Sequence, residues 1–114
     1  MCSKEQLQSV IDDVRAGVCS ALGDRLHSLI LYGSYARGDY DEESDVDFAV
    51  LANIKDTELV KYRKPIYEIA SRASLKNDVE VSISLMDVPT VMKLLDAVPY
   101  YQNVMREGIR IYEQ

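Results

Sequence analysis

One short segment constrains this chain more than any other. An apolar run at residues 29–32 leads directly into Gly33 and Ser34. After a spacer of ten residues, Asp45 and Asp47 flank a valine, and a second apolar run begins. Short apolar runs bounded by turn residues are typical of buried strands. The pattern predicts two strands with a flexible turn and a pair of carboxylates, which are the parts that metal-dependent transfer of a nucleotide requires.

The two aspartates are spaced to act together. Side chains two residues apart in a strand lie on the same face, roughly 7 Å apart along the backbone. This arrangement suits convergence on two metal ions about 3.5–4 Å apart. Mg²⁺ prefers one or two carboxylates together with phosphate oxygens and water. Asp45 and Asp47 are therefore predicted to hold two Mg²⁺ ions, with Mn²⁺ as an alternative, against a bound nucleotide.

The turn supplies the candidate phosphate-binding residues. Gly33 can adopt positive φ and has no Cβ to block an incoming phosphate. Ser34 offers a hydroxyl and a backbone N–H and is expected to open a short helix. Arg37 is placed to return to the same phosphate. Taken alone, the six carboxylates at residues 39–47 indicate a solvated loop. The combination of turn, spacer and acidic pair favours a functional site.

This combination resembles the DNA polymerase β nucleotidyltransferase superfamily, and its minimal nucleotidyltransferase branch in particular. The positions that carry the resemblance are residues 33–34, 36–38, 44–47 and 105–112. The resemblance implies an α/β (α+β) fold in which helices flank a small mixed sheet, with the active site on the open face of the sheet. It also implies a helical HEPN protein as partner. In the best-understood pairs of this kind the HEPN protein is an RNase toxin and the nucleotidyltransferase is its antitoxin.

The resemblance also implies a third acidic residue on the next strand. Asp78 and Glu80 are the candidates, because strand periodicity puts both on one face. The apolar-acid-apolar pattern at residues 79–81 favours Glu80 as a metal ligand that polarises or deprotonates the attacking hydroxyl. The alternative is that Glu80 belongs only to the polar outer face of an amphipathic strand.

Length and charge limit the classes of function. With 114 residues, the chain is expected to form a single nucleotidyltransferase domain over residues 1–114. A formal net charge of −6 argues against a stable grip on nucleic acid. The apolar runs are too short to span a membrane, and no secretion signal is recognised. Cys2 and Cys19 form no metal-binding spacing and are expected to be free thiols in the cytoplasm.

Periodicity predicts the order of elements along the chain. The first helix, capped by Ser3, is expected to end at Gly23. A long helix from Asp56 or Thr57 to about Lys76 is expected to kink near Tyr62, because Pro65 removes one backbone hydrogen bond. The remaining elements are strands at 26–32, 46–52, 79–85 and 109–112, a helix or two turns at 87–96, and a helix at 99–107.

The leading hypothesis is transfer of AMP from ATP to a hydroxyl of a partner protein, by resemblance a tyrosine of a HEPN toxin. The chain is expected to be too short to hold a second substrate by itself, so another chain would present the acceptor. Two alternatives stay open: an aminoglycoside-type nucleotidyltransferase, and a non-catalytic antitoxin that silences its partner by binding. Tyr35, inside the turn, is the expected aromatic contact to nucleotide or partner. Whether the chain assembles with itself or only with a partner stays open.

Overall fold

The computed structural model describes residues 3–41 and 44–113. Within them the elements are α1 (Lys4–Leu22), β1 (Leu26–Tyr32), α2 (Ser34–Arg37), β2 (Val46–Ala52), α3 (Leu59–Asn77), β3 (Val81–Asp87), α4 (Val88–Leu94), α5 (Pro99–Glu107) and β4 (Ile109–Glu113). Two single 3₁₀ turns, Gly23–Arg25 and Asp56–Glu58, precede β1 and α3. Cys2 lies outside the described residues, and Cys19 is a half-buried free thiol.

The four strands form one mixed sheet in the order β3-β2-β1-β4. β1 pairs antiparallel with both β2 and β4, whereas β2 and β3 are parallel because α3 carries the chain back across the sheet. Phe48 and Leu29 are fully buried in the larger apolar cluster, to which α1 and α3 contribute their apolar sides. A smaller cluster around Ile30 and Ala49 lies beneath α4 and α5. Helices on both faces of a small mixed sheet confirm the expected fold class.

Several boundaries agree with the sequence analysis. β1 and β2 cover the predicted residues, and α5 runs from Pro99 to Glu107 as expected. The hydroxyl of Ser3 accepts a hydrogen bond from the backbone N–H of Gln6, which confirms Ser3 as the cap of α1. α3 stays helical through Pro65.

Two boundaries differ for local reasons. Neither Asp56 nor Thr57 caps α3, because a 3₁₀ turn comes first and the Glu58 carboxylate accepts the backbone N–H of Lys55. β3 begins two residues later than predicted, since Asp78 adopts the left-handed conformation that ends α3. Regular pairing with β2 then starts only at Val81.

Candidate active site

The turn after β1 packs directly against a carboxylate. Gly33 has φ 77° and ψ −155°, a conformation that side chains strongly disfavour. A Cβ built on Gly33 would lie 2.7 Å from Oδ2 of Asp47. α2 then starts at Ser34, as predicted, and ends at Gly38 in the left-handed conformation. Glycine at position 33 therefore serves both the backbone conformation and the close approach of Asp47.

Asp47 occupies the centre of the site. It is the second residue of β2, where it pairs with Tyr32 of β1 on one side and Ser82 of β3 on the other. Its side chain is half-buried, and burial raises its pKa above the ordinary value of 3.8, with the nearby negative charge of Asp45 acting in the same direction. Asp45 is exposed and comes just before β2. The two carboxylates repel one another, and a bound cation would relieve that repulsion.

A pair of tyrosines stands beside the carboxylates. Tyr100 of α5 donates a hydrogen bond to the hydroxyl of Tyr32, with the oxygens 2.9 Å apart, and the two rings meet edge to face at 5.8 Å. Burial is the main cause that raises the pKa of Tyr32. The pair, with Gly33, Arg37 and Glu107, lines a pocket of about 190 Å³ next to the turn. Sequence reasoning did not assign this pair to the site.

Arg37 faces the same pocket but is engaged with acids. Its Nε lies 3.1 Å from Oδ2 of Asp39, and its Nη1 lies 3.7 Å from Oε2 of Glu107. All three side chains are substantially exposed, so these ion pairs are weak and can exchange for a phosphate. The predicted phosphate contact of Arg37 is not tested by these contacts and stays a prediction.

The two candidates for the third carboxylate occupy different positions. Asp78 ends α3 at φ 52°, whereas Glu80 immediately precedes β3, and its carbonyl accepts the backbone N–H of Val46 at 2.9 Å. Strand alternation puts Glu80 on the same face as Ser82, the partner of Asp47. In the described part of the chain, no cluster of three or more Asp, Glu, His or Cys residues could hold a metal ion. The role of Glu80 therefore stays a prediction.

Tyr35 does not belong to the exposed site. It is only 6% exposed, packs in the larger apolar cluster, and stacks on Tyr40 with ring centroids 4.4 Å apart and an interplanar angle of 9°. The expectation that Tyr35 contacts nucleotide or partner is therefore wrong for this conformation. A single-turn helix has one side toward the sheet, and Tyr35 occupies it.

Comparison with known sequences identifies the family. Residues 11–105 match the nucleotidyltransferase domain family. The chain belongs to this family. A protein of Methanocaldococcus jannaschii, named as a protein adenylyltransferase, is 38% identical to this nucleotidyltransferase over 106 residues, which cover 93% of this chain and 99% of the relative. The family expected from the sequence motifs is confirmed, as is nucleotidyltransferase activity.

Solved structures agree on the fold. A minimal nucleotidyltransferase shares 23% identity with a TM-score of 0.58, covering 92% of both chains. A chain of a toxin–antitoxin solved with AMP-PNP shares 25% identity with a TM-score of 0.52, covering 87% of this nucleotidyltransferase and 73% of the other chain. Over the residues described here, no helix is both long and apolar enough to cross a bilayer.

Proposed function

We propose that this nucleotidyltransferase moves AMP from ATP onto a hydroxyl of a partner protein, a tyrosine of a HEPN-type toxin, and thereby acts as an antitoxin. The name of the Methanocaldococcus relative supports a protein as the acceptor. The toxin–antitoxin solved with AMP-PNP supports an adenine nucleotide as donor and a toxin as partner. The turn at Gly33 and the carboxylates of Asp45 and Asp47 support metal-dependent nucleotide transfer.

The contact between Gly33 and Asp47 is the observation that carries the proposal. A glycine with no room for a Cβ leaves the Asp47 carboxylate open to the turn, where a phosphate would approach. Asp45 and Asp47 provide the hard oxygen donors that Mg²⁺ prefers, and mutual repulsion favours a cation between them. We propose that Asp45, Asp47 and Glu80 hold Mg²⁺. When bound, Mg²⁺ neutralises charge on the triphosphate and on the departing pyrophosphate.

The remaining residues of the chain position the reactants. Backbone N–H groups at Gly33 and Ser34, with the Ser34 hydroxyl, bind phosphate oxygens. The guanidinium of Arg37 exchanges its ion pairs with Asp39 and Glu107 for hydrogen bonds to oxygens of the triphosphate. Glu80 accepts the proton of the acceptor hydroxyl. The oxygen of that hydroxyl bonds to the α-phosphorus of ATP while the bond from the α-phosphorus to pyrophosphate breaks. Transfer then depends on orientation and electrostatic stabilisation.

Mass spectrometry tests this proposal. The protein is incubated with ATP, Mg²⁺ and the proposed partner, the product of the neighbouring gene, and the intact mass of both chains is measured. We expect the partner to gain one or more AMP units, which fragmentation places on a tyrosine, and no gain in EDTA or with Asp45→Asn/Asp47→Asn. An unmodified partner that nevertheless forms a complex would favour the non-catalytic antitoxin instead.

A further inference from the structure

The outer side of α3 carries large apolar residues in solvent. Val60, Tyr67 and Leu75 are 71, 75 and 82% exposed. They follow one another at intervals of seven and eight residues, which places them along one side of the helix. Ile66 and Ala73 of the same helix are buried on the other side. α3 is therefore apolar on two sides, and only one of them packs within this chain.

The same helix has a charge opposite to that of the whole chain. α3 contains five basic residues and one acidic residue, a net charge of +4 in a protein whose formal net charge is −6. Lys76 pairs with Asp13 of α1 at 3.1 Å. Arg63, Lys64 and Arg72 are exposed and form no ion pair within residues 3–41 and 44–113. Unpaired cations therefore border the exposed apolar residues.

The outer side of α3 faces away from the site, because α3 covers the face of the sheet opposite to the one on which Asp47 lies. The helix packs next to β3, which is the edge strand, and ends at Asn77. Three residues later Glu80 meets Val46, beside Asp45 and at the end of the sheet that carries the carboxylates. The Leu75 end of the helix is thus the end nearer the carboxylates. An acceptor bound along α3 must therefore reach around the edge strand β3, at this end of the sheet, to present its hydroxyl to the carboxylates.

We propose that the outer side of α3, formed by Val60, Arg63, Lys64, Tyr67 and Leu75, is the docking surface for the protein acceptor, and that it binds an acidic amphipathic helix. A helix with apolar residues at matching intervals fits such a stripe, and acidic residues beside them pair with the unpaired cations. A two-fold contact between two copies of α3 would oppose net charges of +4, so a second copy of this chain fits poorly. Nucleic acid fits poorly too, because the rest of the chain is strongly acidic.

This inference rests on the proposed function, in which the acceptor is a protein. The experiment is designed so that failure of the docking surface and failure of AMP transfer give different results. The nucleotidyltransferase is produced with its proposed partner, the product of the neighbouring gene, and the affinity of the complex, AMP transfer and ATP binding are measured. Tyr67→Ser/Leu75→Ser is compared with Met92→Ser, which removes an apolar side chain that is 67% exposed on α4. Arg63→Glu/Lys64→Glu probes the charges. Thermal unfolding confirms that each variant is folded.

We expect both α3 variants to weaken the complex about tenfold or more and to raise the KM for the acceptor, while ATP affinity stays that of the wild type. Met92→Ser should bind as the wild type does. A wild-type complex that both α3 variants leave unchanged overturns the docking surface and leaves the proposed function standing. Weakened binding in both variants without AMP transfer by the wild type supports the surface and contradicts the transfer. Absence of any wild-type complex, or its loss on RNase treatment, overturns the inference.

Discussion

The carboxylate of Asp47 lies so close to Gly33 that no side chain fits between them: a Cβ on Gly33 would stand 2.7 Å from Oδ2 of Asp47. The turn proposed to bind the nucleotide and the carboxylate proposed to hold the metal are therefore in direct contact across the β1–β2 pair. Any residue other than glycine at this position must displace the carboxylate or the turn.

Gly33→Ala is expected to abolish AMP transfer, because the added methyl group pushes Asp47 out of position. Gly23→Ala is the matched control: Gly23 also has positive φ, at 53° with ψ −125°, but a Cβ there meets nothing within 4 Å. Both variants bear a backbone cost of about 1–3 kcal/mol. Thermal unfolding and transfer rates are measured together. Equal activity in the two folded variants would contradict the role of the Gly33–Asp47 contact.

Asp47 should make the stability of the metal-free protein depend on pH. Because its pKa is higher in the folded chain than its ordinary value of 3.8, its ionisation lowers the free energy of unfolding as pH rises from that value through the folded pKa. Asp47→Asn should therefore be more stable than the wild type at neutral pH in EDTA, and this difference should disappear below pH 3.8. Chemical unfolding across pH measures it, with the exposed Asp96→Asn as control.

Addition of Mg²⁺ should reverse that order. A cation at Asp45 and Asp47 stabilises the folded wild type by binding it in preference to the unfolded chain. The midpoint of thermal unfolding of the wild type should rise with Mg²⁺, and that of Asp47→Asn should stay fixed. A Mg²⁺ response of equal size in both proteins would place the ion elsewhere.

Arg37→Gln is expected to weaken ATP binding by about tenfold, because one charged fork on the triphosphate is lost. Arg110→Gln is the control, since Arg110 likewise forms an ion pair with a nearby acid, at 3.2 Å, and has similar exposure. Isothermal calorimetry with ATP and Mg²⁺ compares the two. Unchanged affinity in Arg37→Gln would mean that Arg37 keeps its contacts with Asp39 and Glu107 and does not bind phosphate.

The variants Glu80→Gln and Asp78→Asn test which of the two acids acts as the third carboxylate beside Asp45 and Asp47. Glu80 precedes β3 on the face of Asp47, so Glu80→Gln should lower kcat strongly with little change in stability. Asp78 holds a left-handed turn at φ 52°, a conformation that asparagine tolerates well, so Asp78→Asn should keep both activity and stability. Single-turnover transfer rates distinguish the two. The opposite ranking would assign the role to Asp78.

The sequence predicted correctly those strands and helix ends that depend on residues close together in the chain. Apolar runs ending in Gly33 and beginning after Asp45 defined β1 and β2, and Ser3, Pro99 and Gly108 marked ends of helices correctly. The start of β3 was misplaced because the left-handed conformation of Asp78 interrupts a clean alternation.

Parts of the site depend on contacts that no local pattern contains. Tyr32 and Tyr100 meet across 68 positions of sequence, so only the packing of α5 on the sheet reveals their hydrogen bond. The close approach of Gly33 and Asp47 likewise follows from the register of β1 with β2. Tyr35 was misread as a contact to nucleotide or partner, since a four-residue helix has too few residues to show which side is buried.

Growth of cells that express the proposed HEPN-type toxin tests the central claim most directly. Wild-type nucleotidyltransferase and Asp45→Asn/Asp47→Asn are co-expressed with the toxin at equal levels, and the toxin is recovered for intact mass. Our account predicts that the double variant still binds the toxin but fails to protect, and that AMP appears on the toxin only with the wild type. Full protection by the double variant, with no AMP on the toxin, would contradict it.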